Sequence, residues 1–215
     1  MIELFKHALE FIFHGDVFLH NWVNKYQGWT YLILFIIIFC ETGLVVTPIL
    51  PGDSLLFAAG TIASSMGVLN IYALIGLLFL AAFGGDNSNY FFGKYIGPKI
   101  FNMQLKFIRK EYLERTRAFY EKHGGKTIII ARFMPIIRTF APFVAGIGSM
   151  NYRRFIAFSI LGNLLWINLF IWAGYLLGTV AFIKTHFTIV EFLIVLVSLV
   201  PVFFGFIRRK FIKQV

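Results

Sequence analysis

The chain is poor in residues that support covalent cross-links, metal centres or redox chemistry. It has 215 residues but one cysteine, Cys40, so no internal disulfide can form. Cys40 follows the apolar run "YLILFIIIF", which is typical of a packing residue and unlike a metal ligand. Acidic residues are also scarce, since there are only ten of them. The sequence therefore predicts no metal and no cofactor.

Hydrolase motifs are missing as well. Neither GxSxG nor HExxH occurs. Lipid phosphatases use histidines beside their arginines, whereas all five histidines fall in predicted loops or surface helices: His7, His14, His20, His123 and His186. An intramembrane hydrolase is thus the weaker alternative, and we expect no enzymatic activity.

What the chain has in abundance is apolar surface. Hydrophobic residues make up 59% of it and aromatic residues 19%. Four stretches, at about 29–47, 69–93, 153–178 and 187–207, are long enough to cross a bilayer, which takes roughly 20 residues. Residues 1–28 contain Glu3 and Glu10 and lack a small-residue cleavage site, so they predict an amphipathic surface helix instead of a signal peptide. We expect a single all-α polytopic membrane domain, residues 1–215.

Two further apolar stretches are broken by proline and glycine. Residues 48–66 contain Pro51 and Gly52, and residues 127–149 contain Pro135. Irregular backbone at membrane depth is tolerated where it is buried in protein or lines a wet cavity. Both stretches therefore predict re-entrant helical hairpins, in which these residues support the break.

The basic residues predict the orientation. The net charge is +10, and basic residues cluster in the amphipathic loop 94–126 and the tail 208–215. Such clusters can bind nucleic acid, but beside membrane spans they ordinarily mark the cytoplasmic side. Four spans and two hairpins place every cluster on one side, so both termini are expected to be cytoplasmic and no nucleic acid partner is expected.

The same arrangement makes the two hairpins enter from opposite faces, and short motifs relate them. "FAAG" (57–60) resembles "FVAG" (143–146), and "GD" followed by "GKYIG" resembles "GN" followed by "GYLLG". This order predicts an inverted repeat of residues 29–93 and 127–178, with a site at the repeat interface. Glycines at this spacing also pack helices without any such symmetry.

Five charged residues lie in the apolar stretches between residues 29 and 149. Glu41, Asp53 and Asp86 belong to the first half, and Arg132 and Arg138 to the second hairpin. One reading is that these charges only neutralise each other, which lowers the energetic cost of burying them. Asp53 could also cap a half-helix, and Asp86 is more typical of a structural residue.

The other reading is transport. A helix broken between the two arginines lets both converge on one ligand. Arginine forks bind phosphate bidentately, while desolvated carboxylates such as Glu41 and Asp53 could take up and release protons. The residues together predict proton-linked movement of a phosphate-bearing molecule. A channel, or a proton- or ion-coupled transporter of a small solute, is the alternative.

Three segments carry a resemblance to a known family. "ETGLVVTPILPGD" (41–53), "GDNSNYFFGKYIG" (85–97) and "RFMPIIRTFAPFVAG" (132–146), followed by "GNLLW" (162–166), resemble the DedA family of bacterial inner-membrane proteins. That family is in one superfamily with the eukaryotic VTT-domain lipid scramblases.

The resemblance implies a fold with two opposed re-entrant hairpins and a multi-pass location in the bacterial inner membrane. It also implies translocation of undecaprenyl phosphate or another phosphate-bearing lipid, linked to proton motive force. The family's acidic positions correspond to Glu41 and Asp53, and its arginines to Arg132 and Arg138. Members differ in lipid, so a broad phospholipid scramblase stays open, and a homo-oligomer is compatible with the sequence.

Overall fold

The computed structural model describes residues 28–44, 52–67, 69–102, 124–148 and 150–180. This part of the chain is all-helical, with six helices and no strand: α1 Gly28–Gly43, α2 Gly52–Met66, α3 Ile71–Asn102, α4 Lys126–Arg132, α5 Pro135–Ile147 and α6 Tyr152–Leu177. The surface helix predicted in 1–28, residues 103–123 of the basic loop, Pro51, the span 187–207 and the tail 208–215 lie outside the described residues.

Two of the predicted spans are long helices. In the described ranges, Ile71–Ile96 of α3 and Tyr152–Leu177 of α6 are long and apolar enough to cross a membrane. Helix α3 continues past the predicted end at residue 93, because a charged residue ends an apolar run but does not end a helix. Large apolar side chains cover much of the outward surface of α6, among them Leu161, Leu165 and Leu169, each more than half exposed. Such a surface suits contact with lipid.

The first predicted span is shorter than expected. Helix α1 ends at Gly43, whereas the apolar run predicted a span up to residue 47. At this point the helix lies close to α3, since a Cβ atom on Gly43 would be 3.2 Å from the Cα of Gly85. The end of α1 therefore packs against the middle of α3.

The second predicted hairpin is broken at the expected place. Helices α4 and α5 are joined by Phe133 and Met134, and Pro135 occupies the start of α5. Met134 has an extended backbone, with φ −115° and ψ 108°, because the residue before a proline is disfavoured in the helical region. Of the first predicted hairpin, the structure describes one helix, α2, which is buried from Gly52 to Ala63.

The described residues divide into two compact units, and helices α1, α3 and α6 contribute a segment to each. In the first unit, α2 packs against the end of α6. A Cβ atom on Gly174 would overlap the carbonyl oxygen of Phe57 and lie 2.9 Å from its carbonyl carbon, and one on Gly60 would meet the carbonyl group of Ile171 in the same way. Thr61 Oγ1 also donates a hydrogen bond to Gly174 O, at 3.1 Å.

The second unit contains the same contact between α5 and α3. A Cβ atom on Gly146 would overlap the carbonyl oxygen of Tyr90 and lie 3.0 Å from its carbonyl carbon, and one on Gly93 would overlap the carbonyl oxygen of Phe143. The motifs "FAAG" and "FVAG" thus make equivalent contacts, each with a helix from the other half of the sequence. An internal repeat would produce such repeated packing, and both the repeat and the opposed entry of the hairpins stay predictions.

Candidate functional site

The second unit buries four charged side chains. Glu41, Asp86, Arg132 and Arg138 are each at most 3% exposed. They come from α1, α3, α4 and α5, so four helices contribute one charge each. Two of these residues are acidic and two basic, and they form two ion pairs. Mutual neutralisation was one of the two readings of the sequence, and the transport reading stays a prediction.

The first pair joins Arg132 to Asp86. Arg132 Nη1 lies 2.6 Å from Asp86 Oδ1. The other carboxylate oxygen of Asp86 accepts hydrogen bonds from Ser159 Oγ at 2.7 Å and from Asn163 Nδ2 at 2.9 Å. Asp86 is therefore held by three donors from two helices, α4 and α6.

The second pair joins Arg138 to Glu41, through a hydrogen bond from Nη2 to Oε1. The neighbouring backbone is fastened by Asn89, whose Nδ2 donates to Thr42 O at 2.5 Å and to Thr139 O at 3.3 Å. Because Thr42 and Thr139 directly follow Glu41 and Arg138, this amide holds the two helices together beside the ion pair.

Trp166 connects the two pairs. The guanidinium carbon of Arg132 and that of Arg138 each lie 5.0 Å from the centre of the Trp166 ring system. The Trp166 side chain is completely buried. Cation–π contacts of this kind are worth about 2 kcal/mol when desolvated, so the indole favours a fixed position of both guanidinium groups.

One edge of the Arg132 guanidinium group makes no hydrogen bond to the described residues. Its Nε and Nη2 atoms are buried and have no hydrogen-bond partner among the residues that the structure describes. In a guanidinium group these two N–H bonds point the same way and form a fork that matches two oxygens of a phosphate or carboxylate. A buried charged donor without a partner is energetically costly, so this edge is suited to an anionic ligand.

Asp53 belongs to the first unit. It lies in the first turn of α2 and is 5% exposed. An acidic residue in a first turn is favoured by the helix dipole, which agrees with the structural reading of this residue. Its burial in the first turn of α2 also agrees with the proton-coupling reading, so both stay predictions.

The site contains residues that the sequence analysis did not assign. Asp86 was expected to be structural or supporting, and it pairs with an arginine as Glu41 does. Ser159, Asn163 and Trp166 were not assigned roles, although "GNLLW" was part of the family resemblance. The available signal was the polar pair Ser159 and Asn163, one turn apart in an otherwise apolar helix.

Comparison with known proteins gives the family. The VTT domain matches residues 50–176. Protein DedA of Escherichia coli K12 is 50% identical over 211 residues, which are 97% of this chain and 96% of that protein. An uncharacterised membrane protein of Mycobacterium tuberculosis H37Rv is 43% identical over 170 residues, 78% of this chain and 74% of the relative.

A third relative is the inner membrane protein YqjA of Escherichia coli K12, which is 33% identical over 178 residues, 82% of this chain and 80% of that protein. No solved structure matches. The domain match covers more than half of the chain and includes Asp86, both arginines and Trp166. The chain therefore belongs to the VTT-domain (DedA) family of membrane proteins.

Proposed function

We propose that this chain is a transporter of the bacterial inner membrane that moves a phosphate-bearing lipid from one leaflet to the other, linked to proton movement. The observation that carries the proposal is the pair of buried arginines in one helical hairpin, with the Nε–Nη2 edge of Arg132 unpartnered among the described residues. The location follows the relatives named as inner membrane proteins. We propose that the chain transports the lipid without changing it chemically.

The arginines suit a phosphate headgroup for a geometric reason. Phosphate accepts two parallel N–H bonds from one guanidinium edge, and arginine is superior to lysine where that fork is needed. Both guanidinium groups contact the same indole, that of Trp166. A headgroup bound there would meet two cations on a prearranged surface, which lowers the entropic cost of ordering them on binding.

Proton linkage follows from the charge balance. Two arginines face two carboxylates, so the cluster is neutral when both carboxylates are ionised. A phosphate monoester adds about 1.5 to 2 negative charges near neutral pH, and burying them uncompensated is strongly unfavourable. Protonation of Glu41 would release Arg138 for the phosphate. Binding of the lipid and uptake of a proton would thereby favour each other.

The family resemblance suggests undecaprenyl phosphate as the lipid. One experiment separates the alternatives. A broad phospholipid scramblase would flip both labelled lipids, a hydrolase would release phosphate, and a channel or a transporter of a small solute would flip neither lipid. The purified full-length chain is placed in liposomes that contain labelled undecaprenyl phosphate and a labelled neutral lipid. Flipping of each lipid and release of inorganic phosphate are measured in the same vesicles.

Variants decide the role of the arginines. Arg132→Lys and Arg138→Lys are expected to lose most flipping of the phosphate lipid although the charge is kept. The matched controls are Arg153→Lys and Arg154→Lys, at exposed positions at the start of α6, which should behave like wild type. The proposal is refuted if both buried variants fold and flip the phosphate lipid at the wild-type rate, or if phosphate is released.

A further inference from the structure

We infer that Asp86, with Ser159 and Asn163, is a positioning residue that orients Arg132 so that its Nε–Nη2 edge faces an incoming phosphate group. The inference rests on the proposed function. It assigns the specificity for a phosphate that accepts two parallel hydrogen bonds to Asp86, Ser159 and Asn163, which do not themselves contact the lipid. Asp86 is completely buried on α3, and its donors come from α4 and α6.

The two oxygens of Asp86 have separate tasks. Oδ1 accepts from Arg132 Nη1, while Oδ2 accepts from the two neutral donors Ser159 Oγ and Asn163 Nδ2. A carboxylate with both oxygens available would pair with two nitrogens of the guanidinium. Because Oδ2 is occupied, Asp86 takes only Nη1 and leaves the Nε–Nη2 edge to another acceptor.

Ser159 and Asn163 support each other as well as Asp86. They are one helical turn apart on α6, and Asn163 Nδ2 also lies 3.2 Å from Ser159 Oγ. An isolated carboxylate could rotate about its last bond, whereas a carboxylate in this network has a defined plane. The plane of Asp86 in turn restricts the direction of the Arg132 guanidinium group.

Trp166 limits Arg132 from another direction. Its ring system lies 5.0 Å from the guanidinium carbon, and it follows Asn163 by three residues on α6. The same helix therefore provides the indole, the serine and the asparagine. With Nη1 fixed by Asp86 and the group in contact with the indole, the remaining edge is presented in one orientation.

A purely stabilising ion pair would make a different prediction. In that case the stability of the fold would depend on the charge of Asp86, and Asp86 would not affect the binding of a ligand at Arg132. A positioning role instead makes the effect of Ser159 or Asp86 on phosphate binding depend on the presence of arginine at position 132. A double-mutant cycle separates the two roles.

The test uses the full-length chain in dodecyl maltoside, titrated calorimetrically with dodecyl phosphate, a single-chain phosphate monoester. We expect Ser159→Ala to weaken binding about threefold to tenfold, and Asp86→Asn at least as much, since one charge-assisted contact is lost or loosened. The matched control is Ser88→Ala, because Ser88 Oγ bonds only to Gly84 O of its own helix among the described contacts. In the Arg132→Lys background, Ser159→Ala should cause no further loss.

The outcomes are distinguishable. Wild-type binding by Ser159→Ala and Asp86→Asn, while Arg132→Lys is weakened, overturns the positioning role and leaves the proposed function standing. Additive losses of binding in the double variant Ser159→Ala/Arg132→Lys also overturn the positioning role, because Ser159 would then act independently of Arg132. Wild-type binding by Arg132→Lys refutes the proposed headgroup site itself. If Asp86→Asn fails to fold, the serine variant alone decides.

Discussion

Replacing Gly146 by alanine should separate the two helices that carry opposite charges of the site. A Cβ atom there would overlap Tyr90 O and lie 3.0 Å from its carbonyl carbon and 2.9 Å from Lys94 N. All three obstacles are backbone atoms, so no side chain can turn away and α5 must move from α3. Overpacking of this kind costs about 1–3 kcal/mol. Gly76→Ala, in the opposing helix α3, is the matched control, since nothing lies within 4 Å of its added Cβ atom.

Alanine at an open helical position is favoured over glycine by about 1 kcal/mol. The two variants should therefore differ by about 2–4 kcal/mol, or roughly 4–16 °C in Tm for a chain of this size, at about 2–4 °C per kcal/mol. Thermal unfolding of both variants in dodecyl maltoside, followed by circular dichroism, measures the gap. Equal Tm values for Gly146→Ala and Gly76→Ala would refute the close approach of α5 to α3.

Four further outcomes are expected. Glu41→Gln should abolish flipping while the protein stays in the membrane, and retained activity at wild-type rates would show that its proton is not needed. Asp53→Asn should likewise abolish it, whereas a helix-capping role alone predicts near-normal activity, since asparagine caps as well as aspartate. Trp166→Leu should reduce flipping and lower stability by about 3 kcal/mol, from lost packing volume and two cation–π contacts, as measured by flipping and melting against wild type. For topology, a cysteine at residue 110 in a Cys40→Ser background should be inaccessible to an impermeant thiol reagent in intact cells, and external labelling would contradict the orientation.

The sequence predicted the parts of the fold that depend on local chemistry. Apolar length indicated α3 and α6, and Pro135 indicated the break between α4 and α5. The end of α1 at Gly43 was not predicted, because the contact with Gly85 is a tertiary feature that apolar length does not encode. Hydropathy reports where a chain can be buried, and it does not report where two backbones meet.

The site shows the same division. The scarcity of buried charge made the pairing of carboxylates with arginines predictable, since each buried charge needs a partner. It did not predict which carboxylate joins which arginine. The contacts of Asp86 with Ser159 and Asn163 span 73 and 77 positions, a separation at which helical periodicity carries no information.

The two glycine-mediated contacts, α2 with α6 and α5 with α3, can form at different times during synthesis of the chain. The contact between α3 and α5 involves residues about fifty positions apart, as in the bond from Asn89 to Thr139 with its separation of 50. The contact between α2 and α6 needs residues more than twice as far apart, since Thr61 and Gly174 are separated by 113 positions. A growing chain can therefore form the contact between α3 and α5 first, while the glycine face of α2 stays without its partner until α6 has been synthesised. Long-range contacts of this kind form late, so the interval before α6 arrives is when the nascent protein most needs a protective insertase or chaperone.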